Sequence, residues 1–403
     1  MLGALFAGTM AIKPGGSESL ISGGETDPVM LGLNVILILL TILLGFSKLP
    51  SCVHLIYQIR PVLFLYAWAA LSIVWSASRD TTFRGVVYLF VYLLGAAYIV
   101  LRFDGDQLIR SVWIIIALTG LLSFPAQMLL VHADSDGWGW RGAFLQKNEL
   151  GSAMMIGITT LIADQRCRAV MRYTTFALFA VLLVLSGSVT SMVCTAAGML
   201  FYVYLSAGRK LRPILAIAVV ASGIMAALYG DSLVDLFMGT TGKDMTFTGR
   251  TSVWAIALQK IAEHPILGYG YGGFWSSEAE TVHQYVGNWA PRHAHDAYLN
   301  IWLDLGIFGL VFTLWMFVDG WRRGMRLWAG HRNSTGQWLT MLIVVVAIHG
   351  LAEVDLLQLR IAWVAFLISY LSCRWEEYSL EAEAEASGSH FQESTVDRDV
   401  LAV

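Results

Sequence analysis

The stretch LNVILILLTILLGF, residues 33–46, carries no charged side chain, and AVLLVLSG at 180–187 repeats that character. Neither alternates polar with apolar residues, as a membrane β-strand does with one face to lipid and the other to a lumen. Both read as parts of helices that are apolar on every side, and such runs, near the ~20 residues needed to cross a bilayer, recur along the chain. The 403 residues include 57% hydrophobic and 14% charged side chains, with mean hydropathy +0.63. Soluble domains hold about 25% charged residues. The sequence therefore predicts an all-α, polytopic membrane protein with about 11 to 12 transmembrane helices.

Working outward from those two runs, spans are expected at 28–46, 60–77, 83–101, 107–129, 148–164, 172–187, 189–206, 212–229, 297–318, 337–352 and 359–373. Met1–Ile12 is apolar but short, and reads as a partial twelfth span or an interfacial helix. The organisation is then N-terminal transmembrane helices over 1–229, a long loop with short helices over 230–296, C-terminal transmembrane helices over 297–373, and a tail over 374–403. The tail, acidic and Ser-rich from WEEYSLEAEAEASGSHFQESTVDRDV, has little to bury and is expected to be disordered.

Orientation follows from the basic residues of the short loops, which stay on the cytoplasmic side. Arg166, Arg168 and Arg172, then Arg209, Lys210 and Arg212, then Arg322, Arg323, Arg326 and Arg332 all fall on one side by the span count. That side is assigned to the cytoplasm together with the tail, which leaves the loops at 78–83, 130–147, 230–296 and 353–358 outside. The four cysteines, Cys52, Cys167, Cys194 and Cys373, have no metal-ligand spacing, and none lies in an assigned external loop. A net charge of −3 gives no basic face for nucleic acid.

Almost every candidate functional group falls in the external loops. FTGRTSVWAIALQKIAEHP, 247–265, predicts a helix that starts near Gly249 and stops before Pro265, with Val253, Ile256, Ala257 and Ile261 on its apolar stripe. Arg250 stands at its entrance, where the helix dipole disfavours a cation and favours an anionic ligand. GYGYGGF, 268–274, has the letters of a dinucleotide fingerprint without the strand and helix that would make it one. Its glycines predict tight backbone turns, with Tyr269, Tyr271, Phe274 and Trp275 at the membrane interface or along a sugar-binding surface. His293 and His295 stand just before an apolar helix and, with Asp296, admit three readings: metal ligands, interfacial packing, or a general base at the mouth of the bundle. No third or fourth ligand in the loop has convincing spacing, and no metal or other cofactor is called for.

The strings TGRTSVW, HPILGYGYGGF and HAHDAYLNIWLDLGIFGL resemble the signature region of the O-antigen ligase and polymerase superfamily of bacterial envelope glycosyltransferases. RGAFLQKNELG, 141–151, resembles a second signature, in particular of its exopolysaccharide polymerase branch. In the ligases the hallmark is His followed by Asn, Ser or Gln, then nine residues and a Gly-x-x-Gly. Here His295 is followed by Asp296, a departure, and then by Gly306 and Gly309 at that spacing.

The resemblance implies polymerisation of undecaprenyl-diphosphate-linked repeat units into exopolysaccharide or O-antigen, at a site facing the periplasm from the inner membrane. It implies a lipid-linked glycan as substrate, membrane lipid around it, and a flippase and chain-length regulator as partners. Its essential external arginines map to Arg141 and Arg250, with Arg84 a third. These forks suit the leaving diphosphate, Lys147 adds a cation, and His295 suits the general base for a sugar hydroxyl, with His293 supporting it. Asp296, Tyr269, Trp275 and Glu353, the last with Asp355 beside it, are expected to line the substrate path. Two alternatives differ in acceptor or class: a ligase that transfers the glycan to a lipid A core, and a polysaccharide or lipid transporter. A transporter places ionisable groups near the midplane, whereas here they gather outside.

Overall fold

The computed structural model describes residues 47–129, 139–144, 146–207, 250–277, 293–358 and 360–400, with isolated positions between 36 and 44 and between 210 and 213. The spans expected at 28–46 and 212–229, and the segment Met1–Ile12, lie largely or wholly outside the described residues.

Those residues form helices and no strand. In chain order they are α1 (Leu49–Gln58), α2 (Arg60–Leu71), α3 (Arg79–Val100), α4 (Gly105–Leu129), α5 (Lys147–Ala163), α6 (Ala169–Ser186) and α7 (Val189–Ser206). After the loop come α8 (Arg250–Glu263), α9 (Gly273–Ser277), α10 (Ala297–His331), α11 (Ser334–His349) and α12 (Ile361–Val400). Five helices among the described residues are long and apolar enough to cross a bilayer: α3, α4, α6, α7 and α10 through Ala329. Helices α1 and α2, bent by 101° where Pro61 follows Ile59 and Arg60, make a sixth if the pair is one broken span.

Burial explains the remaining apolar helices. α5 and α11, of 17 and 16 residues, are apolar all round and almost wholly buried, as a helix of that composition must be when neighbours cover it on every side. α5 is enclosed by α4, α6, α7, α11 and α12, while α11 packs on α10, α7 and α12. The outer helices instead leave Leu118, Leu121, Leu122, Val181, Val184, Val193 and Leu200 exposed, the face a bilayer covers.

The polar ends sort into two sets. At one end Arg166 pairs with Asp106 (2.9 Å), Arg110 with Asp164 (3.2 Å), and Ser334 donates to Asp106 (2.7 Å). The basic residues described in the loops after α5 and α10 thus meet at this basic end. Part of the segment after Arg374 is carried on α12, which is bounded by Ile361 and Val400. LEAEAEA consists of strong helix formers, and Glu377 is buried against Arg323 and Arg326 of α10, so the segment after Arg374 has partners that composition did not reveal.

At the opposite end lie the turns that carry the candidate site. α8 fulfils the predicted loop helix, with Val253 and Ile261 buried in a small cluster with Phe274, Trp275, Ala294 and Leu303, and with Ala257 buried as well. Gly268, Gly270 and Gly272 all take positive φ, as the glycine-rich run predicts. α10 is broken at Gly306, whose φ of 65° and ψ of −167° are open essentially only to glycine. The gap admits the chain after α8: Ile307 N–H donates to the Pro265 carbonyl (3.0 Å), and a Cβ at Gly306 would stand 2.0 Å from the Ile266 carbonyl oxygen.

Candidate active site

Asp296 caps α10. Its carboxylate accepts the backbone N–H groups of Tyr298 (2.8 Å) and Leu299 (2.9 Å), two of the donors a helix start leaves unmet. Burial pushes its pKa up, against the pull of those two hydrogen bonds. This role accounts for the departure noted at the position after the histidine, since Asn and Ser cap equally well.

Immediately before the cap, His295 takes a φ of 50°, a left-handed conformation uncommon for a residue with a side chain. His293 braces it: the His295 N–H donates to His293 Nδ1 (3.3 Å), and the two rings lie 4.2 Å apart at their centroids. His295 Nδ1 faces Glu353 Oε2 at 3.9 Å. That is an electrostatic neighbour rather than a hydrogen bond, and it favours the imidazolium that forms when the ring takes a proton.

Glu353 is 2% exposed and is itself held, accepting from Asn148 Nδ2 at 2.7 Å. Asn148 belongs to the first turn of α5, beside Lys147 and Glu149. Two residues on, Asp355 accepts from Ser152 (2.9 Å) and lies 2.9 Å from His349 Nδ1, with Arg360 NH1 at 3.6 Å. Burial would raise the Asp355 pKa, but His349, Arg360 and the Ser152 hydroxyl hold it well below the usual carboxylate range. Arg360 NH2 reaches Glu149 Oε1 at 3.8 Å. The start of α5, the start of α10 and the turn between α11 and α12 thus converge on His295 and Glu353.

The remaining predicted residues are distributed around this centre. Lys147 opens α5 next to Asn148, and its side chain passes Gly139. Arg141 precedes α5 on a segment pinned by Gln127, which accepts the backbone N–H groups of Arg141 and Gly142, each at 3.0 Å. Arg250 is the first residue of α8, and its side chain lies outside the described residues. Arg84 is not brought in: it is exposed on α3 and its guanidinium donates to the Asp80 carbonyl (3.3 Å) of its own helix.

The two aromatic candidates take part in packing. Trp275 is buried with its indole N–H on Asn300 Oδ1 (2.9 Å), and the Tyr269 hydroxyl donates to Glu263 (3.1 Å) at the end of α8. Trp275 thus ties α9 to α10, and Tyr269 ties the glycine-rich turn to the end of α8. Among the described residues no group of three or more His, Cys, Asp or Glu side chains is arranged to hold a metal ion.

Asn148, Glu149, Ser152, His349 and Arg360 escaped the sequence reading. A polar run at a helix start, KNE, and a His, Glu and Asp closely spaced in HGLAEVD were the signals available.

A family model described as O-antigen ligase matches residues 174–314, which takes in Arg250, His293, His295, Asp296 and the broken Gly306. The exopolysaccharide production protein ExoQ of Rhizobium meliloti is 27% identical over 311 residues, 72% of this chain and 71% of that protein. An O-antigen ligase of Pseudomonas aeruginosa is 26% identical over 214 residues, 51% of each chain. With its buried helical bundle and His295 at the entrance to α10, the chain is similar to the O-antigen ligase and polymerase superfamily of membrane enzymes.

Proposed function

We propose that this enzyme polymerises repeat units carried on undecaprenyl diphosphate, transferring one lipid-linked glycan to a sugar hydroxyl of another on the external face of the bacterial inner membrane. The observation that carries the reading is the His295–Glu353 pair at the meeting point of α5, α10 and the α11–α12 turn. The acceptor hydroxyl attacks the anomeric carbon, its proton passes to His295, and the bond from that carbon to the diphosphate oxygen breaks. Glu353 stabilises the imidazolium, and general-base catalysis of this kind contributes about 10²–10⁴-fold. Arg141 and Arg250, with Lys147, meet the charge that grows on the leaving diphosphate.

The wall formed by Asn148, Glu149 and Glu353 is rich in acceptors and suits sugar hydroxyls better than phosphate. It therefore belongs to the acceptor side, and the donor diphosphate to the arginine side.

The likeness to ExoQ, together with RGAFLQKNELG, favours polymerisation. The family description and the Pseudomonas relative favour ligation to a different acceptor as the second reading. Purified protein given one lipid-linked repeat unit is expected to make a ladder of longer lipid-linked chains, and His295→Ala is expected to make none while His293→Ala retains part of the activity. Transfer only to an added lipid A core, without a ladder, moves the assignment to ligase. Near-normal product from His295→Ala removes the base.

A further inference from the structure

Beneath the external site lies a second histidine that the reaction above does not use. His349, the last residue of α11, is 1% exposed, with Nδ1 2.9 Å from Asp355 Oδ2 and Nε2 3.1 Å from Ser191 Oγ of α7. Ser191 Oγ in turn lies 3.0 Å from Ser188 Oγ. The order Ser, His, Asp is that of a nucleophilic triad, but the packing excludes such chemistry. Ser191 is fully buried, and a Cβ on Gly151 of α5 would stand 2.9 Å from its hydroxyl oxygen and 2.6 Å from Ser188 Cβ. With α5 seated on the serine, no substrate reaches it.

The backbone shows what the histidine holds. The carbonyl of His349 accepts the N–H of Glu353 (2.9 Å) and of Ala352 (3.0 Å), while its ring meets Asp355. One residue therefore closes the turn 349–355 from both its main chain and its side chain. The next carbonyl, Gly350, accepts the N–H of Ala297 at 2.7 Å, and so ties the same turn to the first residue of α10, two positions after His295. Ser152 and Arg360 complete the cradle around Asp355. The turn thus helps to hold Glu353 relative to His295, alongside the bond of Glu353 to Asn148.

We infer that His349, held by Asp355 and Ser191, is a positioning residue that sets Glu353 against His295. The inference rests on the reading of His295 as acceptor base, and it adds a role for residues that never touch substrate. Outer partners that orient metal-ligating side chains are worth about 10–100-fold in activity, and the same scale is expected for a partner that orients Glu353. His349→Ala is expected to lower kcat on that scale and to leave KM for the lipid-linked substrate unchanged.

The two amides then separate the contacts. An asparagine places its Nδ2 near the position of the ring Nδ1, facing Asp355, so His349→Asn is expected to recover most of the lost rate. A glutamine reaches toward Ser191 instead, and His349→Gln is expected to behave like His349→Ala. In a Glu353→Gln background, His349→Ala is expected to cost nothing further, because the group it positions is already gone.

A loss of equal size in both backgrounds, recovery by Gln as good as by Asn, or a rise in KM with kcat kept would overturn the assignment. Should His349→Ala fail to insert, the Asn and Gln variants in both backgrounds give the same decision. An active His295→Ala would instead sink the base reading, and the comparison across backgrounds would still report whether His349 acts through Glu353.

Discussion

Asp296 shows how a single side chain can serve the site without chemistry of its own. Its carboxylate caps α10, and the cap fixes where the helix begins and thus where His295, held at positive φ, must point. Loss of a cap costs about 1 kcal/mol. Asp296→Ala is expected to lower thermal stability in detergent by that order and to reduce activity through His295, whereas Asp296→Asn, which keeps the acceptor oxygen and removes a half-buried charge, is expected to match or exceed the parent in melting temperature. Equal melting of the Ala variant and the parent would show that the helix start is fixed by other contacts. Asp355 makes a complementary case that acid can probe. Its folded pKa is lowered, so the stability it contributes is complete above the unfolded value of about 3.9 and is lost as pH falls below that value toward the lowered one. Melting curves taken from pH 6 downward are expected to fall more steeply below about pH 4 for the parent than for Asp355→Asn. Parallel curves would mean that the ion pair with His349 adds no net stability.

At the scale of elements, α10 is the part most legible in the sequence and also the part whose reason was hidden. The spacing from His295 to Gly306 and Gly309 could be read as a signature, and its physical content appears only in the fold: the helix is broken at Gly306 so that the chain leaving α8 can enter it. A methyl group there would meet both a forbidden conformation and the Ile266 carbonyl oxygen. Gly306→Ala is expected to cost about 1–3 kcal/mol and to loosen α8 from α10, seen as a lower melting temperature and faster proteolysis near residue 264. Gly320→Ala on the same helix, where the nearest atom to a new Cβ is 3.1 Å away at the end of the Ile343 side chain, is the control and is expected to melt near the parent. If both variants melt alike, the break is not required. Spans were legible because hydropathy is local, as was α8 from its stripe. The ion pair and hydrogen bonds of the site were not, because they join residues far apart in the chain: Asn148 with Glu353, Ser152 with Asp355, Ser191 with His349. His349 in particular ends an apolar run and gives no local sign of a partner in α7. The contact of Glu377 with Arg323 and Arg326 of α10 was equally illegible, because it too joins residues distant in the chain.

On the scale of the whole molecule, the separation of charge between the two ends turns a collection of spans into an oriented enzyme. The basic end gathers Arg166, Arg332 and the ion pairs of Arg323 and Arg326, while His295, Glu353, Asp355 and Arg360 lie at the other. Lysine and arginine near span ends are enriched on the cytoplasmic side, and the proposed function puts the histidine end outside, where a lipid-linked glycan would be met. Two exposed alanines report this directly: Ala77, in the turn before α3 at the histidine end, and Ala169, at the start of α6 at the basic end. Cysteine at either position adds one sulfur atom to a surface residue, in a background where Cys52, Cys167, Cys194 and Cys373 are replaced so that only the new thiol reacts. In intact cells an impermeant thiol reagent is expected to label Ala77→Cys and to spare Ala169→Cys, and permeabilised cells are expected to label both. The reverse pattern would put the histidine end in the cytoplasm. Acceptor and donor would then have to be engaged on the side where lipid-linked units are built, and polymerisation on the external face would be excluded even with the His295–Glu353 pair intact.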